Sequence, residues 1–189
     1  MPGATRRDGS CVDGGRIWRW LAQLGSALQY LHARRILHRD LKTENVFLDA
    51  DDDLKLGDFG IARSLSTQTA LAATVVGTPA YMSPEVINSD EYGEPADAWA
   101  VGVILYELIA LERPFDGTNL ATIVMKISRG AADVAKLEAS GHAKELCWLA
   151  TNEALLHADG GSRMTVGGLI EYVAREQMHA AAAEETASV

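Results

Sequence analysis

Residues 38–48, HRDLKTENVFL, set an acid, an amine and an amide (Asp40, Lys42, Asn45) in one short loop that runs into an apolar triplet. Working outward, Ile17, Leu21, Leu24, Leu28 and Leu31 recur at alternating spacings of four and three between Arg16 and Arg34, which is one face of a helix. That helix delivers the chain to His38. Around and beyond the loop, the runs RILH, VFLD and LKLG read as small strands, the last two forming a hairpin about the acidic turn Asp49–Asp53. From Ser64 to Thr78 the sequence is Ser, Thr, Ala and Gln without a sustained period, a surface loop.

Past Pro84 the helical period returns with Trp99, Val103 and Tyr106, then Leu120, Ile123, Val124 and Ile127, then Leu146 and Leu149, then Leu169, Tyr172 and Val173. The closing AAAAEETASV has no periodic apolar face and reads as a frayed tail. The fold class expected is therefore mainly α with one small β ribbon.

A length of 189 residues with 48% hydrophobic content suits one domain, or a large piece of one, with a sizeable core. The net charge of −9 argues against a nucleic-acid binder, which would carry a basic stripe. Charge is uneven: six arginines against two acids give the first 37 residues +4, leaving −13 for the rest, and the basic run reads as solvated helix faces. Cys11 and Cys147 lie outside any CxxC pattern, so neither a zinc site nor a disulfide framework is signalled and a reducing, cytoplasmic setting is expected. No signal-peptide run follows Arg6 and Arg7. The longest apolar stretch, AWAVGVILY between Asp97 and Glu107, is too short to cross a bilayer, so it reads as a buried helix with no membrane partner.

Moving a phosphoryl group to a hydroxyl requires a divalent metal held by hard oxygens, a carboxylate near the hydroxyl and a cation on the moving phosphate. Asp40 supplies the carboxylate, Lys42 the cation, and Asn45 with Asp58 the oxygens for magnesium. Asp58 opens Asp58-Phe59-Gly60 directly after LKLG, where Gly60 permits close approach.

The ordered set His38-Arg39-Asp40, Lys42, Asn45, Asp58-Phe59-Gly60, Ser83-Pro84-Glu85 resembles the protein kinase signature. Ser83 stands where the usual pattern has Ala. Asp97, Trp99 and Arg163 extend the resemblance over about residues 16–174. LHRDLKTENVFL and VVGTPAYMSPE look most like the NIMA-related serine/threonine kinases, and Lys42 after Asp40-Leu41 is what serine/threonine kinases carry there. The resemblance implies ATP and Mg2+ as cofactors and a protein substrate with a Ser or Thr acceptor. It also implies Phe47 against the adenine ring and Thr78 beside Asp40 and Lys42. Thr74 would be an activating phosphosite read by Arg39 and Arg63, and Glu85 would pair with Arg163. His38 and Phe59 are expected to be structural, and the helix from Asn119 to Ser128 to help dock substrate. Cytoskeletal association follows by the same analogy.

Kinases cover ATP with a Gly-rich loop and a strand lysine upstream of the catalytic loop. Here no lysine precedes Lys42, and Gly14-Gly15 lacks the GxGxxG spacing. The chain therefore reads as the C-terminal lobe of a protein kinase with the N-terminal β lobe absent: a leader at 1–15 expected to lack order, a partial kinase domain at 16–174 and a tail at 175–189. Such a lobe, by itself, is expected to turn over very slowly and to expose a face, including Phe47 and Phe59, that a partner would cover. The competing expectation is a catalytically silent lobe acting as a protein-interaction module.

Overall fold

The computed structural model describes residues 12–57 and 79–187. Helix α1, Gly14–His32, starts where Asp13 accepts the Arg16 amide, an N-cap that satisfies one of the donors left open at a helix start. Its buried stripe is Ile17, Leu21, Leu24, Leu28 and Leu31, with Trp20 beside it. The helix ends in a turn in which the Ile36 amide returns to the Leu31 carbonyl and Arg35 takes a left-handed φ of 59°.

That turn corrects the sequence reading of RILH, which is not a strand: its backbone is used to close the helix, and the amide of His38 is bound to a side chain instead of a neighbouring strand. The other two runs do pair. Strands β1 (Val46–Leu48) and β2 (Leu54–Leu56) are antiparallel, with Val46 opposite Leu56 and Phe47 opposite Lys55. Asp49 builds the turn between them, its Oδ1 accepting the Asp51 and Asp53 amides at 3.0 Å each.

Arg16 and Arg19 on α1 both bind Asp52 in this turn, the Trp20 indole donates to the Asp52 carbonyl, and Gln23 bridges Asp53 and the Leu54 amide. Two of the arginines behind the basic excess of the early chain are thus committed to holding the hairpin on α1. They are paired with Asp52 on a face that stays partly exposed to solvent.

Short helix α2 (Pro84–Ile87) leads to α3 (Glu94–Ala110), followed by α4 (Leu120–Ser128), α5 (Val134–Ala139), α6 (Lys144–Leu149) and α7 (Val166–Ala187). Helix α3 is apolar on nearly every side, as AWAVGVILY suggested, and runs through the middle of the protein, as an all-round apolar helix must. Trp99 on α3 stacks on Phe115 with ring centroids 5.3 Å apart, in a cluster with Val103, Ile127 and Leu156. The main core joins α1, α3 and α7.

Helix α7 continues through residues 175–187, within the stretch set down in the sequence as a tail and, from Ala180 on, as frayed. Alanine carries the highest helix propensity, so the stretch extends a packed helix without needing an apolar face of its own. No helix among the described residues is long and apolar enough to cross a membrane.

Arg163 fastens α2 to this base. Its guanidinium, 0% exposed, meets Glu85, 19% exposed, through two parallel bonds of 2.7 and 2.9 Å. It also donates to the carbonyls of His157 and Pro95 and lies 5.0 Å over the Trp99 ring. Burial pushes the Glu85 carboxyl up, but the guanidinium outweighs it and leaves the group below its ordinary range. Removing one partner strands the other's charge, so Arg163→Ala is expected to cost about 3 to 5 kcal/mol. The exposed Arg175, replaced by Ala, is expected to cost less than about 1 kcal/mol. Urea denaturation of both variants checks this, and equal losses would contradict a buried, charge-compensating pair.

Candidate active site

The loop at 38–45 is held from below by Asp97, in the first turn of α3, whose carboxylate is 0% exposed. Four donors converge on it: the amides of His38 (3.0 Å) and Arg39 (3.2 Å), the Tyr92 hydroxyl (2.6 Å) and Nε2 of His32 (2.8 Å). Burial pushes this carboxyl up, yet the donors, His32 foremost, outweigh it and hold the group below the ordinary carboxylate range. The two amide bonds fix the backbone of Arg39 at a left-handed φ of 67°, a conformation that costs a non-glycine residue about 1 to 2 kcal/mol. The His38 ring, also buried, donates from Nε2 to the Gly57 carbonyl at 3.1 Å, linking the loop to the end of β2.

On the opposite side the loop faces water. The Asp40 side chain is 56% exposed, with Lys42 Nζ 2.8 and 3.1 Å from its two oxygens. Asn45 is buried and donates from Nδ2 to both the Asp40 carbonyl (2.7 Å) and its carboxylate (3.0 Å). Both partners only accept, so the amide orientation is fixed and Oδ1 remains as a lone-pair donor. Asp40 therefore carries an open, oriented carboxylate beside a cation. Phe47 on β1 is 48% exposed and lies over Gly57, where an added Cβ would come within 2.6 Å of its ring.

The structure thus brings Asp40, Lys42 and Asn45 together, sets Asp97 under His38 and Arg39, and pairs Glu85 with Arg163. Asp58, Phe59, Arg63, Thr74 and Thr78 lie outside the described residues. Sequence reading passed over His32, Tyr92, Thr43, Tyr81 and Glu107. A signal existed for two of them: His32 continues the buried stripe of α1, and Glu107 follows directly on AWAVGVILY, each a polar group in an apolar setting.

A mainly helical fold in which a buried aspartate supports a loop bearing Asp, Lys and Asn defines a class. The chain belongs to the protein kinase domain family, which matches residues 4–175. Among curated proteins it is similar to the probable serine/threonine-protein kinase nek2 of Dictyostelium discoideum, 41% identical over 170 residues, which cover 88% of this chain and 39% of that protein. It is similar also to the probable serine/threonine-protein kinase nek3 of the same organism, 41% identical over 159 residues, covering 82% of this chain and 14% of that one. The chain therefore spans well under half the length of these relatives. Among solved structures, Rad53 1–466 in complex with AMP-PNP superposes with a TM-score of 0.72 at 26% identity, over 86% of this chain and 41% of that one.

Protein kinases generally use ATP and Mg2+. Among the described residues no three His, Cys, Asp or Glu side chains form a metal cluster. Mg2+ at nucleotide sites is typically held by few protein oxygens and shared with the phosphates. Asn45 Oδ1 fits such a role.

Because the bound state of Asp97 favours its ionised form, its contribution is present above the ordinary pKa and lost as pH falls through the lowered one. Asp97→Asn is expected to cost about 3 kcal/mol at pH 7, since an amide nitrogen would face donors. The deficit relative to the wild type should narrow below about pH 4. Denaturation curves at neutral and acid pH check this; a deficit independent of pH would show that the ionised carboxylate is not the anchor.

Proposed function

We propose that this chain carries the catalytic loop of a serine/threonine protein kinase that transfers the γ-phosphoryl group of ATP to a Ser or Thr hydroxyl of a protein. The observation that carries the reading is the open Asp40 carboxylate, tethered between Lys42 and the buried Asn45 and supported through the backbone by Asp97. In this reading Asp40 orients the acceptor hydroxyl and takes up its proton, and Lys42 offsets negative charge on the transferring group. Asn45 and Asp58 would hold Mg2+, which when bound neutralises charge between the phosphates. Phe47, half exposed at the loop edge, would meet the adenine ring.

The NEK relatives and Lys42 favour a serine or threonine acceptor over tyrosine. Thr74, with Arg39 and Arg63 as its cations, is the proposed regulatory phosphosite, since arginine matches phosphate geometry. Thr78 is proposed to face the acceptor peptide, and the exposed face around Phe47 to be covered in the working enzyme.

The full-length protein, assayed with radiolabelled ATP and a generic basic protein, should label Ser or Thr. Asp40→Asn should lower the rate by about 100-fold or more, the usual effect of losing a positioned acid–base group. Unchanged turnover in Asp40→Asn, or a folded wild type that transfers nothing, would set the kinase reading aside in favour of a silent interaction lobe.

A further inference from the structure

Thr43 lies between Lys42 and Asn45, in a single 3-10 turn spanning Thr43–Asn45. The turn is short, closed by the Asn45 amide on the Lys42 carbonyl at 3.0 Å, and Lys42 gives it no side-chain cap. One such turn is poorly restrained by its own backbone. Its restraint comes from elsewhere: Thr43 Oγ1 lies 2.8 Å from the hydroxyl of Tyr81, which lies 2.5 Å from Glu107 Oε2 on α3. Arg113 closes the far end, its Nε 3.3 Å from Glu107 Oε1.

The direction of the chain follows from donor chemistry. Burial leaves the Glu107 carboxyl above its ordinary range, with Tyr81 and Arg113 pulling the other way, and its Oε2 accepts from the Tyr81 hydroxyl. Burial and the neighbouring carboxylate raise the Tyr81 phenol well above its ordinary value, so it keeps its proton and spends it on Glu107. The phenol oxygen is then left to accept from Thr43. The competing partner of that hydroxyl, Glu44 Oε2, lies farther off at 3.3 Å.

Three elements are joined this way: the catalytic turn, the 3-10 turn Pro79–Tyr81 and the central helix α3. We propose that Thr43 is a positioning residue which, through Tyr81 and Glu107, fixes the turn that carries Lys42 and Asn45 to helix α3. Valine in place of Thr43 would keep the shape but lose the donor, freeing the turn to rotate and with it the two side chains that flank Asp40. Its bearing on catalysis rests on the kinase reading above, so the test has one readout that needs no turnover.

The full-length protein is compared as wild type, Thr43→Val, Thr43→Ser, Tyr81→Phe and Thr43→Val/Tyr81→Phe. The first readout is amide hydrogen exchange of residues 43–47, with α7 as internal control. Thr43→Val should speed exchange in the turn about fivefold, the equivalent of one net hydrogen bond, and leave α7 unchanged. Thr43→Ser should restore the wild-type rate, and the double variant should be no faster than Tyr81→Phe alone, because the two hydroxyls act as one chain. In the second readout, Thr43→Val should lower kcat by about three- to tenfold with KM for ATP little changed, as expected of misplaced catalytic groups. Wild-type exchange in Thr43→Val, failure of serine to restore it, or full additivity with Tyr81→Phe overturns the proposal. So does altered exchange with an unaltered kcat, which would leave Thr43 a merely structural residue. Absence of turnover in the wild type would count against the kinase reading, while the exchange pattern would still decide whether Thr43 fixes the turn.

Discussion

A carboxylate sealed from water must find enough donors to replace its hydration, and Asp97 finds four, from three separate places in the chain. His32 comes from the end of α1, Tyr92 from the approach to α3, and two amides from the loop itself. The requirement couples these segments: the loop cannot leave its position without stranding a buried charge, and α1 cannot part from α3 without losing its histidine contact. The strained backbone of Arg39 persists because this single anchor over-determines it.

Exposure runs in a gradient across the loop. Asp97, His38 and Asn45 are buried, and they carry the geometry; Asp40 and Lys42 face water with their charges paired but accessible. In the role proposed for it the Asp40 carboxylate has to be both open and oriented, and the two demands are met by different residues. Helix α3 supports this arrangement at both ends, through Asp97 in its first turn and Glu107 near its last, although almost every other residue along it is apolar.

Periodicity made the helices legible, because buried stripes such as Ile17, Leu21, Leu24 and Leu28 follow directly from the geometry of the α-helix. The hairpin was legible from VFLD and LKLG about an acidic turn. RILH misled because a short apolar run carries no information about whether a partner strand exists, and here the backbone hydrogen bonds are taken by the helix end and by Asp97. The alanine-rich end misled in the opposite way: it lacks an apolar stripe, but propensity alone extends a helix already nucleated by packing.

The sequence by itself determined the proposed chemistry, since Asp40, Lys42, Asn45 and Asp58 are reactive types in a fixed order and their identities do not depend on folding. It also determined that the apolar run AWAVGVILY would form a buried helix. Only the tertiary structure decided what holds the reactive loop: that Asp97 accepts from His32 and Tyr92, that Arg16 and Arg19 are spent on Asp52, and that Thr43 reaches Glu107 through Tyr81. These partners are separated by 5 to 65 positions along the chain. A buried polar group must be satisfied by whatever donor the packing brings near, and no local pattern in the sequence specifies which donor that will be.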